Sequence, residues 1–212
     1  MKKLSLIAAL LCVTFVFSQN NHYNKISIEA AYGLNHSLSP DGRNGLDASD
    51  YSNFKHFDIG GRYMISQLYG VKLSYAYDRF QWEGSSLAIN YNRIGAEVVF
   101  NLADVFKLKF SRQRNFQIQA HTGVGVTFAK PKRDFKSEKI GNFMIGITPV
   151  FKISDRISIP IDFSYIANFK QHYDFGGTLV NANGDHVTGG FINFTVGINY
   201  AIGSDRDHAD WH

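Results

Sequence analysis

Cysteine is almost missing from this chain. Its one cysteine, Cys12, lies in an apolar segment near the N-terminus. We predict that this segment is cut from the mature protein, which would leave the mature chain without any thiol. A disulfide framework and a thiolate metal site are therefore excluded as organising features of the fold.

Long apolar runs and charged residues are also scarce. Beyond the N-terminal segment no apolar run reaches about 18 residues, which excludes a membrane protein built from transmembrane helices. Charged residues make up 19% of the chain, below the roughly 25% of soluble domains. The sequence is therefore typical neither of a helical inner-membrane protein nor of an ordinary soluble domain with a charged surface.

Residues 1–18 are predicted to be a cleavable secretory signal peptide. Lys2 and Lys3 form its basic start, an apolar stretch follows, and Ser18 is the small residue before a cut at Gln19. Such a signal carries a bacterial protein across the inner membrane. Its removal lowers the formal net charge from +4 to +2, so basicity gives no argument for a nucleic-acid partner and we predict none.

Strict alternation marks the last apolar stretch, Phe191 to Gly203. Every second residue from Ile192 onward is apolar, and the residues between are small or polar. This pattern predicts a β-strand, and about eleven residues suffice for a tilted strand to cross a bilayer. Because the opposite face is small and polar, the stretch fits the wall of a membrane barrel with lipid outside and a polar lumen inside.

The same alternation recurs in seven earlier stretches. The eight predicted strands begin near Ile26, Phe54, Val71, Ala88, Phe116, Phe143, Ile157 and Phe191. Their connections alternate roughly long and short, with long loops at 37–53, 130–142 and 174–189, as in a barrel threaded from the periplasmic side. We therefore predict an all-β fold: an eight-stranded antiparallel up-and-down transmembrane barrel over residues 19–203, with a periplasmic tail at 204–212. A soluble lipocalin-like barrel, apolar inside, is the competing fold.

Charged residues recur on the predicted inward face. Five acids oppose five bases there: Glu29, Asp58, Asp78, Glu97 and Asp162 against Arg62, Lys72, Arg93, Lys152 and Lys170. Side chains can fill an eight-stranded barrel, and an unpaired buried charge costs several kcal/mol. We therefore predict a structural charge network in the lumen, formed by Glu29, Asp58, Arg62, Arg93, Glu97, His121, Asp162 and Lys170. The alternative is a narrow proton or ion path through Arg93, Glu97 and His121.

The long loop at 130–142 is basic. Its cations would suit the phosphates of lipopolysaccharide, and the alternative is an ordinary solvated loop. These candidate contact residues are Lys130, Lys132, Arg133, Lys136 and Lys139.

Catalytic chemistry finds little support in the sequence. A barrel-borne enzyme needs a nucleophile or base held by a partner. His121 and Thr122 are adjacent, but adjacent residues of a strand face opposite ways. His56, His172 and His186 are interpreted as ordinary polar residues. We predict no catalytic residue, no metal site and no cofactor.

The whole predicted mature chain resembles the OmpA-like eight-stranded outer-membrane barrels of Gram-negative bacteria. The matching pieces are Asn92-Arg93, Thr148-Pro149, Lys152-Ile153-Ser154 and His208-Ala209-Asp210-Trp211. The resemblance implies an outer-membrane location and a tail that leads into a periplasmic linker. In that family a peptidoglycan-binding domain normally follows, so contact with peptidoglycan is expected only if such a domain continues beyond His212.

These observations together predict the function. We expect a non-enzymatic structural barrel with a filled lumen, in contact with outer-membrane lipid and lipopolysaccharide, that supports envelope integrity. A loop-mediated binding or adhesion module, or a small-solute channel, is the second hypothesis. A lipid-A-modifying enzyme is the third.

Overall fold

Eight long β-strands make up most of the part of the chain that the structure describes. The computed structural model describes residues 23–42, 45–106, 115–133, 136–181 and 183–211, and the predicted signal peptide lies outside them. The strands are β1 (Ile26–Ser39), β2 (Asn53–Met64), β3 (Tyr69–Gln81), β4 (Ala88–Asn101), β5 (Phe116–Pro131), β6 (Glu138–Lys152), β7 (Ile157–Gln171) and β8 (Val187–Ile202). One helical turn, α1 (Leu102–Val105), and two 3₁₀ turns, Ala48–Tyr51 and Ala209–Trp211, complete the described elements. None of the described helices is long and apolar enough to span a membrane.

The strands form one closed antiparallel barrel. Each strand pairs with its neighbours in sequence, and β1 pairs with β8 to close the ring. The closing register runs from Ile26 opposite Ile202 to Ser39 opposite Gly190. Closure gives each of the eight described strands a partner on both edges, which the hydrocarbon core of a bilayer requires. The predicted eight-stranded antiparallel barrel is confirmed.

The apolar face of the barrel points outward. Along β8, Val196 and Ile198 are 48% and 60% exposed, whereas the intervening Thr195 and Asn199 are 4% and 5% exposed. Leu73 of β3 is 67% exposed. A continuous belt of exposed aliphatic and aromatic side chains requires lipid around it, not water. The lipocalin-like alternative, with its apolar face inside, is therefore excluded.

The two ends of the barrel differ. At the end we call the turn end, β1 begins and β8 ends, and short connections at 65–68 and 153–156 join the strands. The opposite end, the loop end, carries the connections at 40–52, 82–87, 132–137 and 172–186.

The strands reach further toward the loop end than the sequence predicted. β6 begins at Glu138, although we expected a loop as far as Asn142. The backbone ladder continues there, because its hydrogen bonds pair Phe128 with Lys139 and do not depend on an apolar stripe. Two of the predicted loop cations, Lys130 and Lys139, therefore lie on strands.

Candidate functional site

A cavity of about 70 Å³ lies in the middle of the lumen. All eight strands contribute to its lining, through residues that include Glu29, Asp58, Lys72, Glu97, His121, Thr148, Asp162 and Thr195. This volume can hold several water molecules, and the polar lining offers them partners. The charged groups around the cavity form three clusters.

The first cluster joins β1, β2 and β3. Arg62 Nε lies 2.8 Å from Glu29 Oε1, and Lys72 Nζ lies 3.1 Å from Glu29 Oε2. The same ammonium lies 3.4 Å from Asp58 Oδ1. The strand register brings these groups together, because Arg62 stands directly opposite Lys72 on β3. Each charge therefore has an opposite charge within ion-pair distance.

The second cluster is centred on His121. Its Nδ1 lies 2.5 Å from Glu97 Oε2, and its Nε2 lies 3.0 Å from Asp162 Oδ1. Asp162 also accepts hydrogen bonds from Thr148 Oγ1, at 2.6 Å, and from the Ser164 hydroxyl. An ionised carboxylate only accepts hydrogen bonds, so both ring nitrogens must donate. This arrangement holds His121 as a positive imidazolium between two negative groups.

The same cluster contains a serine, a histidine and a carboxylate in the spatial arrangement of a catalytic triad. Ser164 Oγ lies 3.4 Å from His121 Nε2, and Glu97 stands on the other ring nitrogen. In a working triad Nε2 must be free to take the proton of the serine. Here Nε2 of His121 is hydrogen-bonded to Asp162, and the Ser164 hydroxyl donates to the same carboxylate. The geometry is that of a polar network and does not activate a nucleophile.

The third cluster lies nearer the loop end. Asp78 is completely buried, with His56 Nδ1 2.7 Å from its Oδ1 and Arg93 Nη1 3.2 Å from its Oδ2. The Asn193 amide lies 3.1 Å from His56 Nδ1. The Arg93 guanidinium also stands over the ring of Phe191, 5.5 Å from its centroid, at a distance typical of a cation–π contact. Arg93 therefore joins the charge network to the aromatic layer above it.

That aromatic layer fills the lumen at the loop end. The ring of Phe80 lies 4.5 Å from Phe175, 5.1 Å from Phe191 and 5.2 Å from Tyr91, measured between centroids. Phe175 comes from the β7–β8 loop, and Tyr51 from the β1–β2 loop belongs to the same buried cluster. Two loops thus fold inward to complete the layer.

At the turn end the lumen is filled by the chain itself. Asn24 N donates to Asp207 O at 2.8 Å, and Ala209 N donates to Asn24 O at 2.9 Å. Through these bonds the segment after β8 turns back, and residues 208–211 are at most 5% exposed. The sequence predicted a tail leading into a linker, but the structure packs this part of the tail into the mouth of the barrel.

Asp210 fixes the tail to the wall. Arg62 donates from Nη2 to Oδ2 at 2.6 Å and from Nη1 to Oδ1 at 3.2 Å. Gln117 Nε2 donates to the Asp210 carbonyl at 3.0 Å, and His208 Nδ1 lies 3.2 Å from Oδ2. Burial by itself would raise the pKa of Asp210, but the adjacent Arg62 and His208 hold that pKa well below its usual range. The carboxylate is therefore ionised at neutral pH.

The structure brings most of the predicted network residues together in the lumen. They are Glu29, Asp58, Arg62, Arg93, Glu97, His121 and Asp162. The prediction for Lys170 is wrong: its side chain is exposed and its φ is +61°. The β7–β8 register shifts between Asn168 and Gln171, and this irregularity breaks the alternation that placed Lys170 inside.

The predicted balance of five acids and five bases is also wrong. Lys152 lies near the turn-end mouth, where it pairs with Asp155 at 3.3 Å and Asp207 at 2.8 Å. Among the described residues, the lumen pairs set the carboxylates Glu29, Asp58, Asp78, Glu97, Asp162 and Asp210 against Arg62, Lys72 and Arg93. This excess of carboxylates is consistent with a positive His121. Alternation could have indicated the inward position of His56, whereas no sequence signal placed Asp210 in the lumen.

The predicted lipopolysaccharide contacts lie at the loop end. All five are exposed: Lys130, Lys132, Arg133, Lys136 and Lys139. Lys139 Nζ stands 6.0 Å from the ring centroid of Phe128, an outward-facing aromatic residue of β5. Arg133 Nη2 donates to Ser86 Oγ at 2.7 Å, which links two neighbouring loops. The cations therefore form an exposed group directly above the apolar belt.

Solved structures share this fold, although no family model and no curated protein matches the sequence. A major outer membrane protein from Thermus thermophilus is similar with a TM-score of 0.56 and 10% identity, over 84% of this chain and 98% of that chain. Neisserial surface protein A is similar with a TM-score of 0.54 and 11% identity, over 84% and 96% of the respective chains. Outer membrane protein OprG from Pseudomonas aeruginosa has a TM-score of 0.49 and 11% identity, over 87% and 100%.

The chain has the fold of the eight-stranded outer-membrane β-barrels. The fold that the resemblance to OmpA-like barrels implied is thereby confirmed. Together with the apolar outer belt, the fold places the protein in an outer membrane, as predicted.

Proposed function

We propose that this protein is a non-enzymatic structural barrel that supports the integrity of the outer membrane and does not conduct solutes. The observation that carries the proposal is the filling of the lumen at three levels. The aromatic layer occupies the loop end, the charge clusters surround the central cavity, and residues 208–211 occupy the turn end.

Passage of an ion would have to disrupt all three levels. The closely packed aromatic rings would have to move aside for a hydrated ion, and the paired charges below them would lose their partners if they moved aside. Breaking one buried ion pair typically costs about 3–5 kcal/mol. An eight-stranded barrel is also just wide enough for its own side chains to fill. These features favour a structural role over the channel hypothesis.

Conductance in planar bilayers tests the closed lumen. We expect the wild-type protein to give background current, because both ends are filled. The double variant Phe175→Ala with Asp210→Ala, which weakens both ends, is the control and should conduct more than either single variant. Stable conductance steps from the wild type would contradict the proposal and favour the channel.

The role in the envelope needs a cellular test. Deletion of the gene should make cells more sensitive to detergent, and expression of the wild-type chain should restore resistance. A deletion strain as resistant as its parent would contradict the structural role.

Two observations support the non-enzymatic part of the proposal. Both ring nitrogens of His121 are hydrogen-bonded to carboxylates, and the Thr122 hydroxyl donates to the Met144 carbonyl at 3.0 Å. Neither arrangement provides an activated nucleophile. Lipid-A mass spectra of cells with and without the protein should be identical, and a mass change that depends on the protein would overturn this part.

We also propose that the exposed cations at the loop end contact lipopolysaccharide phosphates. Lys130 and Lys139 lie on adjacent strands above the apolar belt, where head-group phosphates would meet them. The variant Lys130→Glu with Lys139→Glu should bind lipopolysaccharide more weakly in vesicles. Arg206→Glu, which changes an exposed cation near the turn end, is the matched control and should bind as the wild type does. Equal binding by all three proteins would contradict the contact.

A further inference from the structure

Polar groups from four strands converge on the turn-end mouth. Arg62 of β2 and Gln117 of β5 donate to Asp210, as described above. Asn101 Nδ2 of β4 lies 3.4 Å from Asp210 Oδ1. Lys152 Nζ of β6 stands 6.0 Å from the ring centroid of Trp211. The barrel wall thus presents a carboxylate-binding group and a cation for an aromatic ring side by side.

The wall supplies the donors that bind Asp210, whereas Asn24, which precedes β1, supplies backbone hydrogen bonds to Asp207 and Ala209. A guanidinium in a two-point contact matches the planar geometry of a carboxylate and selects for it. Arg62, Asn101 and Gln117, which contact Asp210, stand on β-strands, so the barrel holds this part of the site rigidly. Between β8 and the buried part of the tail, Gly203, Ser204 and Arg206 are exposed. The buried tail is therefore joined to the barrel by an exposed connection.

We propose that the turn-end mouth is a binding site for an acidic–aromatic peptide segment, which the chain's own residues 207–211 occupy as a releasable stopper. Arg62 links this site to the interior, because it also pairs with Glu29, which pairs with Lys72 beside the cavity. Release of the tail opens the cavity toward the turn end. The aromatic layer still closes the loop end, so release alone does not produce a channel.

Labelling of a cysteine inside the cavity tests release. Ser74 lines the cavity, and Ser74→Cys in a Cys12→Ser background places one thiol there. In vesicles, a small cationic methanethiosulfonate reagent should modify this thiol slowly. Adding Asp210→Asn should speed the reaction by about tenfold or more, because the open state gains population once the carboxylate charge is lost. Asp205→Asn removes a charge from the same tail, where Asp205 contacts Asn24 through its backbone, and should leave the rate unchanged.

A peptide added in trans tests the binding site itself. The peptide carries the sequence of residues 205–211, and a tethered tail acts at millimolar effective concentration, so about 1 mM peptide is required. It should return the labelling rate of the Asp210→Asn variant toward that of the background. The same peptide with asparagine at the position of Asp210 should have no effect. Equal protection by both peptides, or protection by neither, would overturn the proposal.

A folding measurement and a second variant distinguish release of the tail from unfolding of the barrel. Circular dichroism in detergent establishes whether Asp210→Asn keeps its β-sheet. Arg62→Lys keeps the positive charge but loses the two-point contact, so its labelling rate should lie between those of the background and Asp210→Asn. Conductance at background in these variants leaves the proposed structural role intact. Labelling of both variants at the background rate would contradict the stopper without affecting that role.

Discussion

His121 and Asp162 meet in the lumen although a whole strand lies between them. His121 is on β5 and Asp162 on β7, and Nε2 lies 3.0 Å from Oδ1. On β6, Gly146 stands opposite His121, and a Cβ at Gly146 would lie 2.2 Å from Nε2. The missing side chain on β6 is therefore what allows the ring to reach across to β7.

Gly146→Ala should destabilise the barrel by about 1–3 kcal/mol, because the added methyl group displaces the imidazole from its carboxylates. Unfolding by denaturant in lipid vesicles measures the change. Gly61→Ala is the matched control: the Cβ it adds has no atom within 4 Å. A Gly146→Ala variant as stable as Gly61→Ala would show that the ring does not occupy this path.

Arg93→Ala should lower the free energy of unfolding by about 3–5 kcal/mol, because it leaves the fully buried Asp78 without its guanidinium partner. The double variant with Asp78→Asn should be less destabilised, since no orphan carboxylate remains. Denaturant titration of both variants in vesicles makes the comparison. A double variant no more stable than Arg93→Ala would contradict a structural ion pair.

Val196→Arg should cost about 2–4 kcal/mol in folding free energy, because it places a charge on the lipid face in the middle of β8. Folding into vesicles followed by denaturant titration measures the cost. Ser137→Arg, at an exposed position of the loop end, should be close to neutral. Equal tolerance of arginine at the two sites would mean that the outer belt does not face lipid.

The stabilising effect of Asp210 should depend on pH. The folded protein holds the pKa of Asp210 below its unfolded value of about 3.9. The contribution is therefore fully present above that pH and is lost as the pH falls toward the folded value. Wild type and Asp210→Asn should differ by on the order of 3 kcal/mol at pH 7. The difference should shrink when the titration is repeated at pH 3 and pH 2, below the unfolded pKa, and a constant difference would contradict the ion pair.

Alternation along the chain was sufficient to predict the number of strands and the direction in which each face of a strand points. Alternation with a period of two is a local property, and lipid outside the barrel forces it on every strand. Thr195 and Val196 could therefore be assigned to opposite faces from the alternation alone. The same pattern predicted the inward positions of Glu29, Arg62 and His121.

Which charges meet, and how the lumen is closed, could not be predicted from the sequence and depends on the folded barrel. Pairing depends on strand register and on distances across the lumen, as between His121 and Asp162. Neither can be predicted from the spacing of residues along one strand. Lys170 lies outside the lumen because a local register shift interrupts the alternation. Asp210 lies inside it because Arg62, 148 residues away in sequence, pairs with its buried carboxylate. A short polar tail carries no periodic signal, so its place is set by the wall that receives it.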